Sequence, residues 1–409
     1  MSRPAGARAV TLTALLLLAA TAACSSPVDS EQVTTSLLEP ATVTLPEGPA
    51  YVWEQLGERR PASTAVVGGH STPIGRVADV TWLPDGNLLT RGATTQRGQR
   101  DGADVGGVSH GLRVLDPSTG EVIRARRGRG DWGVTPEAVT FRSDTRNRIT
   151  VYDLDLSHPR TLDVPDSAVE TDQLEEGWAT FQLYHPAYTL DGVTWALWDI
   201  NSEDDFRTDH GALRLEDGEA VEVLRDQPVV DFLPSSDGAA LLMLTQDNGD
   251  DETCGGCVVR QRVVELDPAT GDVAREYPMP PGYTEAWRVD DVDKIAGTLV
   301  VRFEISAASE VRTTGTRFQT WTYDGSWVHL EELDNTRTWW QGGGRLTYEP
   351  QEPLRRLGVN PPYQLTWHPD DGPDQVLDIG SDCPRSEGGT QLCPPLTVPG
   401  SLLPPDPSS

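Results

Sequence analysis

The sequence predicts an all-β chain assembled from repeated hairpin units, and three observations carry that expectation. Apolar residues alternate with polar ones instead of recurring every three or four positions, the pattern of half-buried strands rather than amphipathic helices. Glycine (39) and proline (32) together supply 71 of the 409 residues and cut the chain into short segments. The third observation is internal repetition. Leu115-Asp-Pro-Ser-Thr-Gly-Glu-Val122 returns as Leu266-Asp-Pro-Ala-Thr-Gly-Asp-Val273, an offset of 151 residues. Val80-Thr-Trp-Leu-Pro-Asp-Gly86 is echoed by Phe232-Leu-Pro-Ser-Ser-Asp-Gly238, an offset of 152 between the closing glycines.

In each Asp-Pro-x-Thr-Gly unit, proline presets the φ of a type I turn and glycine takes the left-handed position that closes a bulged hairpin. Similar centres lie at Asp153 to His158, Glu216-Asp-Gly218, Tyr323-Asp-Gly-Ser326 and Pro369-Asp-Asp-Gly372. Taken at 118, 158, 217, 269, 325 and 371, the six centres are spaced by 253/5, or near 51 residues. That is the period of a four-stranded propeller blade of the kelch size class, so the offset of 151 spans three blades. The fold expected is a six-bladed β-propeller. Residues 49 to 75 either close the ring against the last blade or build a seventh. The hairpins are the outer strand pairs, and Asp79 to Leu83, Ala138 to Arg142, Thr180 to Leu183 and Asp231 to Leu233 are the inner strands around a channel. Trp82, Trp195, Trp198, Trp287, Trp321 and Trp367 fall in alternating runs and are expected to fill the wedges between blades.

At the N-terminus, Arg3 and Arg8 precede an apolar run from Val10 to Ala20, then Thr21-Ala-Ala23 and Cys24. The run is too short to span a bilayer well, and the order is that of an export signal. It resembles the lipobox of bacterial lipoproteins, although Thr21 stands where those signals usually carry leucine. The resemblance implies cleavage before Cys24, lipidation of its thiol and anchoring at the extracytoplasmic face of a cell membrane. The division expected is a signal peptide at 1–23, a lipidated tether at 24–47, the propeller at 48–382, and a disulfide loop with a Pro-rich disordered tail at 383–409. From about 75 to 380 the body is similar to YVTN and quinoprotein-type propellers, whose outer hairpins often carry the Asp-Pro-x-Thr-Gly turn. That likeness implies a fold and no reaction. Quinone-fixing Trp motifs are absent at regular positions and Trp-Asp occurs once, at Trp198-Asp199, so no cofactor is expected.

The chain carries 63 acidic and 33 basic residues, two of the latter in the signal, so the mature charge is 31 − 63, or −32. Such a surface repels phosphate backbones and excludes nucleic acid as a partner. Five cysteines leave four after Cys24. In an oxidising compartment these are expected to form two local disulfides, Cys254 with Cys257 and Cys383 with Cys393, among three possible connectivities. A four-cysteine zinc site is disfavoured because the second pair lacks the two-residue spacing. Carboxylates beside Cys254 and Cys257 disfavour redox chemistry there.

Two aromatic segments sit beside glycines: Trp132 in Gly128-Arg-Gly-Asp-Trp-Gly133, and Trp339-Trp340 before Gln341-Gly-Gly-Gly-Arg345. Trp132, Trp339, Trp340 and Arg345 are the candidate ligand-binding residues, for stacking on sugars or on a partner's side chains. On a strand, at most one of the two adjacent tryptophans is exposed. The basic cluster Arg124, Arg126, Arg127 and Arg129 is expected to pair with the chain's own carboxylates. The acidic runs 247–252 and 199–205 lack the order of an EF-hand loop and read as solvated loops. His110, His185 and His210 are the histidines to inspect first, though none shows metal or catalytic spacing. Ser109 lies in Gly107-Val-Ser-His-Gly111 without the strand-to-helix setting of a nucleophile elbow, which favours a plain glycine-rich turn. The function expected is a lipid-anchored envelope binding or assembly module, with envelope proteins or cell-wall glycans as partners. The alternative is a propeller hydrolase or lyase acting on an extracellular polymer.

Overall fold

Both Asp-Pro-x-Thr-Gly segments fold into the same turn. The Asp116 carboxylate accepts from the Ser118 N–H (2.7 Å), the Gly120 N–H returns to the Asp116 carbonyl (2.8 Å), and Gly120 has φ +72°. In the second copy Asp267 accepts from the Ala269 N–H (2.8 Å), and Gly271 bonds back to the Asp267 carbonyl (2.8 Å) at φ +83°. A β-carbon at Gly120 would approach the Pro73 carbonyl to 3.0 Å, and one at Gly271 would approach Val223 to 2.8 Å and Trp195 to 3.0 Å. The recurring glycine therefore supplies the left-handed backbone and the clearance for the turn to dock on the preceding blade.

The computed structural model describes residues 47–54, 63–75, 77–100, 103–128, 130–143, 147–169, 179–202, 208–216, 219–225, 229–236, 238–247, 260–284, 287–306, 316–334, 336–350, 363–377 and 396–403. These form seven four-stranded antiparallel sheets, and the 3-10 turn Asp166–Ala168 is the only helical element among the described residues. Blade 2 runs from inner strand Val77–Trp82 to outer strand Val122–Arg127, and blade 3 from Gly130–Val134 to Arg160–Asp163. Blade 4 runs from Ala179–Leu190 to Glu219–Arg225, and blade 5 from Val229–Pro234 to Val273–Glu276. Blade 6 runs from Trp287–Ile295 to Trp327–Asp334, and blade 7 from Arg337–Gln341 to Gln375–Leu377. The two repeat copies are the outer hairpins of blades 2 and 5, three blades apart; the expected centres at 153–158, 323–326 and 369–372 are the outer hairpins of blades 3, 6 and 7, and Glu216 pairs with Glu219 across that of blade 4, where Asp217 and Gly218 lie outside the described residues.

The ring has seven blades, not six. Blade 1 is divided between the two ends of the sequence: Ala50–Glu54, Ser63–Val67 and His70–Gly75 supply three strands, and the two-residue strand Leu396–Thr397 pairs antiparallel with Val52 and Trp53 as the innermost. Its outer hairpin turns on Gly68-Gly69, both at positive φ, and so lacks the aspartate that marks the other six. The expected boundary at 382 is corrected by the same strand, because residues 396–403 of the supposed tail belong to the ring.

Apolar clusters join six of the seven pairs of neighbouring blades, closing through blades 7 and 1 with Tyr51, Val66, Leu346, Leu365 and Trp367. Trp195 and Trp198 are fully buried, Trp287 and Trp367 nearly so, and Trp82 and Trp321 pack partly buried against the same clusters. The wedge-filling expectation holds for these six. Between blades 5 and 6, the chain's single lysine, Lys294, bonds the Glu265 carboxylate at 2.6 Å, and the Tyr277 hydroxyl donates to the same group. Burial opposes the Glu265 charge but is outweighed by these two donors, leaving its carboxyl below the usual range.

The segment Ala138 to Arg142 is not an inner strand. It lies in Val139–Ser143, the second strand of blade 3, and Gly130–Val134 takes the inner place. Two glycines in five residues disguise that strand as a turn. Gly107 to Gly111 is likewise strand, within Ala103–Leu115, rather than a glycine-rich turn. Arg124 pairs with Asp155 at 3.0 Å and Arg126 donates to the Leu156 carbonyl at 2.9 Å, so these two members of the basic cluster satisfy themselves within the fold. Residues 1–46, all five cysteines, Arg129 and the segments 203–207 and 248–252 lie outside the described residues, as do the side chains of Ser109, His110, His185 and His210.

Gln341 fastens the closure. Its buried amide accepts from the Ala50 N–H (2.9 Å) and donates to the carbonyls of Ala50 (2.8 Å) and Pro399, tying blade 7 to both halves of blade 1. Gln341→Ala strands three backbone groups away from water and is expected to destabilise the fold by ~2–4 kcal/mol, read from urea unfolding curves.

Candidate functional site

The inner strands surround a central cavity of about 350 Å³. Thr81 of blade 2, Trp132 of blade 3, Tyr188 of blade 4, Leu233 and Ser236 of blade 5, and Asp291 and Asp293 of blade 6 line it, with Gly400 and Leu402 from the closing segment. Gly133 lets blades 3 and 4 approach: a β-carbon there would lie 2.2 Å from the Ala187 carbonyl and 2.6 Å from the Tyr188 ring. The Trp132 indole N–H donates to the Thr81 hydroxyl at 3.2 Å, and the Arg91 guanidinium lies 5.4 Å from the ring centroid. Arg91 also donates to the Gly130 carbonyl (3.2 Å), and Asp131 beside it pairs with Arg142.

Blade 6 contributes the charge. Between its first two strands the register slips at Val289/Asp291, leaving Asp290 as an extra residue. On an uninterrupted strand Asp290 and Asp291 would point to opposite faces; the bulge lets both reach one guanidinium. Arg302 Nε bonds Asp290 Oδ2 at 2.7 Å and its Nη2 bonds Asp291 Oδ2 at 3.2 Å, while its Nη1 crosses to the Thr338 carbonyl of blade 7 at 3.0 Å. Arg337 of blade 7 adds a second bond to Asp290 at 2.7 Å. An ion-pair network thus stands at the 6/7 boundary where the other six boundaries carry apolar clusters. Asp293 accepts from the backbone N–H and the hydroxyl of Ser236 and from the Lys294 N–H.

Burial pushes the Asp291 carboxyl up to about 6; Arg302 opposes the rise, and Asp290 and Asp293 reinforce it. The side chain retains 41% of its surface and lines the cavity.

Of the four residues expected to bind ligand, Trp132 alone lines the cavity, from an inner strand and not from a loop. Trp339 and Trp340 sit on the inner strand of blade 7, both half-buried, and neither they nor Arg345 reach the cavity lining. Trp339 packs on the cluster between blades 7 and 1 with Arg302 5.5 Å from its ring. Trp340 exchanges two 2.9 Å backbone bonds with Ser401, under the Arg345 guanidinium. Both contact the segments that close the ring. Asp291 was missed by the sequence reading, although its signal was present. Val77-Ala-Asp79, Val229-Val-Asp231 and Val289-Asp-Asp291 share a Val-x-Asp spacing, and the same register slip falls on all three. Asp79 and Asp231 therefore hold the positions equivalent to Asp291 in blades 2 and 5, 152 residues apart from each other.

No family model and no curated protein matches the sequence. Solved structures do. The propeller domain of the trilobed protease from Pyrococcus furiosus aligns with a TM-score of 0.47 at 9% identity, over 82% of this chain and 94% of that one. Oligogalacturonate lyase from Vibrio parahaemolyticus gives 0.47 at 11% identity, over 84% and 90%. The BamB protein of Moraxella catarrhalis gives 0.34 at 11% identity, over 75% and 82%.

Two measurements check the site. Arg302→Met leaves Asp290 buried beside one remaining cation and is expected to cost ~3–5 kcal/mol in urea unfolding, the usual range for breaking a buried pair. Because the folded carboxyl of Asp291 is pushed up to about 6 from its ordinary 3.8, the native state binds more protons between those pH values, and this residue's contribution to stability falls as pH rises through that window. Asp291→Asn should remove that downward component, so the difference in stability between variant and parent should change with pH across the window and level off above it.

Proposed function

We propose that this chain is a lipid-anchored, extracytoplasmic binding module that holds a cell-wall glycan unit or an envelope partner through the channel face of the propeller. The cavity carries the reading. Aromatic side chains from blades 3 and 4 and carboxylates and hydroxyls from blades 2, 5 and 6 converge on one cavity, the mixture that grips a small hydroxylated ligand. The ionised groups around it already have partners: Asp291 with Arg302 and Asp131 with Arg142 inside their own blades, and Asp293 with Ser236 across blades 5 and 6. Position at the membrane is supported by the signal segment ending at Cys24, and the strongly acidic composition suits a soluble body held beside a charged envelope.

A second reading has one observation in its favour. A carboxyl titrating near 6 beside a guanidinium is the kind of group that donates a proton near neutral pH, as a hydrolase or lyase of an extracellular polymer requires. It predicts new reducing or unsaturated ends when cell-wall polysaccharide is incubated with the protein, and loss of that turnover in Asp291→Asn.

For the binding reading, purified insoluble cell wall should sediment the protein in a saturable manner with no release of fragments; no sedimentation with intact wall would overturn it. Cys24→Ala should shift the protein from the membrane fraction to the medium. The local pairs Cys254–Cys257 and Cys383–Cys393 belong to the same proposal, and peptide mapping without reductant should recover each pair linked.

A further inference from the structure

Asp291 faces the channel under-compensated. Arg302 is divided between two carboxylates, and Asp290 takes the shorter contact, 2.7 Å against 3.2 Å, together with the whole of a second guanidinium contact from Arg337. Asp290 is 8% exposed and sealed within the blade boundary, whereas Asp291 keeps 41% of its side-chain surface toward the cavity. The neighbouring charges acting on Asp291 include Asp290 and Asp293, both of its own sign. Other walls of the cavity are Tyr188, a ring system whose negative face favours cations, Trp132, whose ring already has the Arg91 guanidinium 5.4 Å from its centroid, and the hydroxyls of Thr81 and Ser236. At about 350 Å³ the cavity lies at the small end of ligand pockets, which span roughly 300–1,000 Å³, so its occupant is compact. A neutral sugar would satisfy the aromatic walls and hydroxyls but leave the carboxylate as it is. An anion would be repelled. A cation completes the charge balance that Arg302 leaves unfinished.

We propose that the channel cavity takes a compact ligand carrying a primary ammonium group on a hydroxylated or aliphatic body, such as an amino sugar with a free amine or a short diamine, with Asp291 as counter-charge and Trp132 and Tyr188 as aromatic walls. The proposal rests on the cavity as the binding site and deepens that reading. The two fail separately: cell wall that sediments the protein equally with its amines free or acetylated leaves the binding module standing without the ammonium specificity, and small ammonium ligands that bind a protein indifferent to cell wall do the reverse.

The test is calorimetric titration of the full mature chain, near neutral pH and at low ionic strength, with glucosamine, putrescine, N-acetylglucosamine and glucose. At least one ammonium probe should bind with one-site saturation and at least about tenfold tighter than both neutral sugars. Glucosamine above putrescine assigns an amino sugar; the reverse assigns a diamine. Asp291→Asn should weaken the preferred probe by about tenfold or more. Tyr188→Leu, which leaves the Arg302 contacts in place, should weaken it as well and serves if the first variant does not fold. Asp153→Asn, on the outer turn of blade 3, should bind like the parent. Neutral sugars binding as tightly as the ammonium probes, no binding by either ammonium probe, or parental affinity in folded cavity variants would each overturn the proposal.

Discussion

Everything in this architecture depends on one short antiparallel pairing, Leu396–Thr397 against Val52 and Trp53. A propeller blade has little reason to stay in place except the blades on either side, so an unclosed ring would present an apolar wedge face at each end. Two paired residues are a weak fastening by themselves. The surrounding contacts make it sufficient: Gln341 joins Ala50 to Pro399, Ser401 is bonded to Trp340, and Leu402 is buried at the channel. Closure brings Gly400 and Leu402 into the cavity wall, so the fastening and the site share residues.

The boundary between blades 6 and 7 shows a different compromise. A buried ion pair seldom outperforms well-packed apolar residues in stability. Arg302 and Arg337 nevertheless stand where six other boundaries place leucine, valine and tryptophan. The arrangement puts a guanidinium behind a channel-facing carboxylate and holds that carboxylate in one orientation. Stability at this seam is exchanged for a charged group with defined geometry at the centre of the ring.

Legibility in the sequence followed the physics of each element. Outer hairpins were readable because their turns demand particular residues, an aspartate to cap and a glycine at positive φ, and these recur at Gly120 and Gly271. The split blade was not readable. Its turn is Gly68-Gly69, and its fourth strand is two residues long, too short for any alternation to show. Trp132 lies on an inner strand because Gly133 beside it marks close approach of blades rather than a flexible loop. Asp291 was hidden because a bulge reverses the rule of alternate faces, so adjacent aspartates that look half solvent-facing both point to one cation.

The division of blade 1 also sets an order on folding. Val52 and Thr397 are 397 − 52, or 345, residues apart, so the strand from Ala50 to Glu54 has no inner partner until residues 396 and 397 have been made. Loop-closure entropy grows only slowly with that length, but the waiting time does not shrink with it. During that interval the nascent protein carries an open sheet edge beside a wedge of bare apolar side chains, a surface prone to pairing with other chains. Removing residues 396–403 would therefore return a finished ring to the condition of an unfinished one.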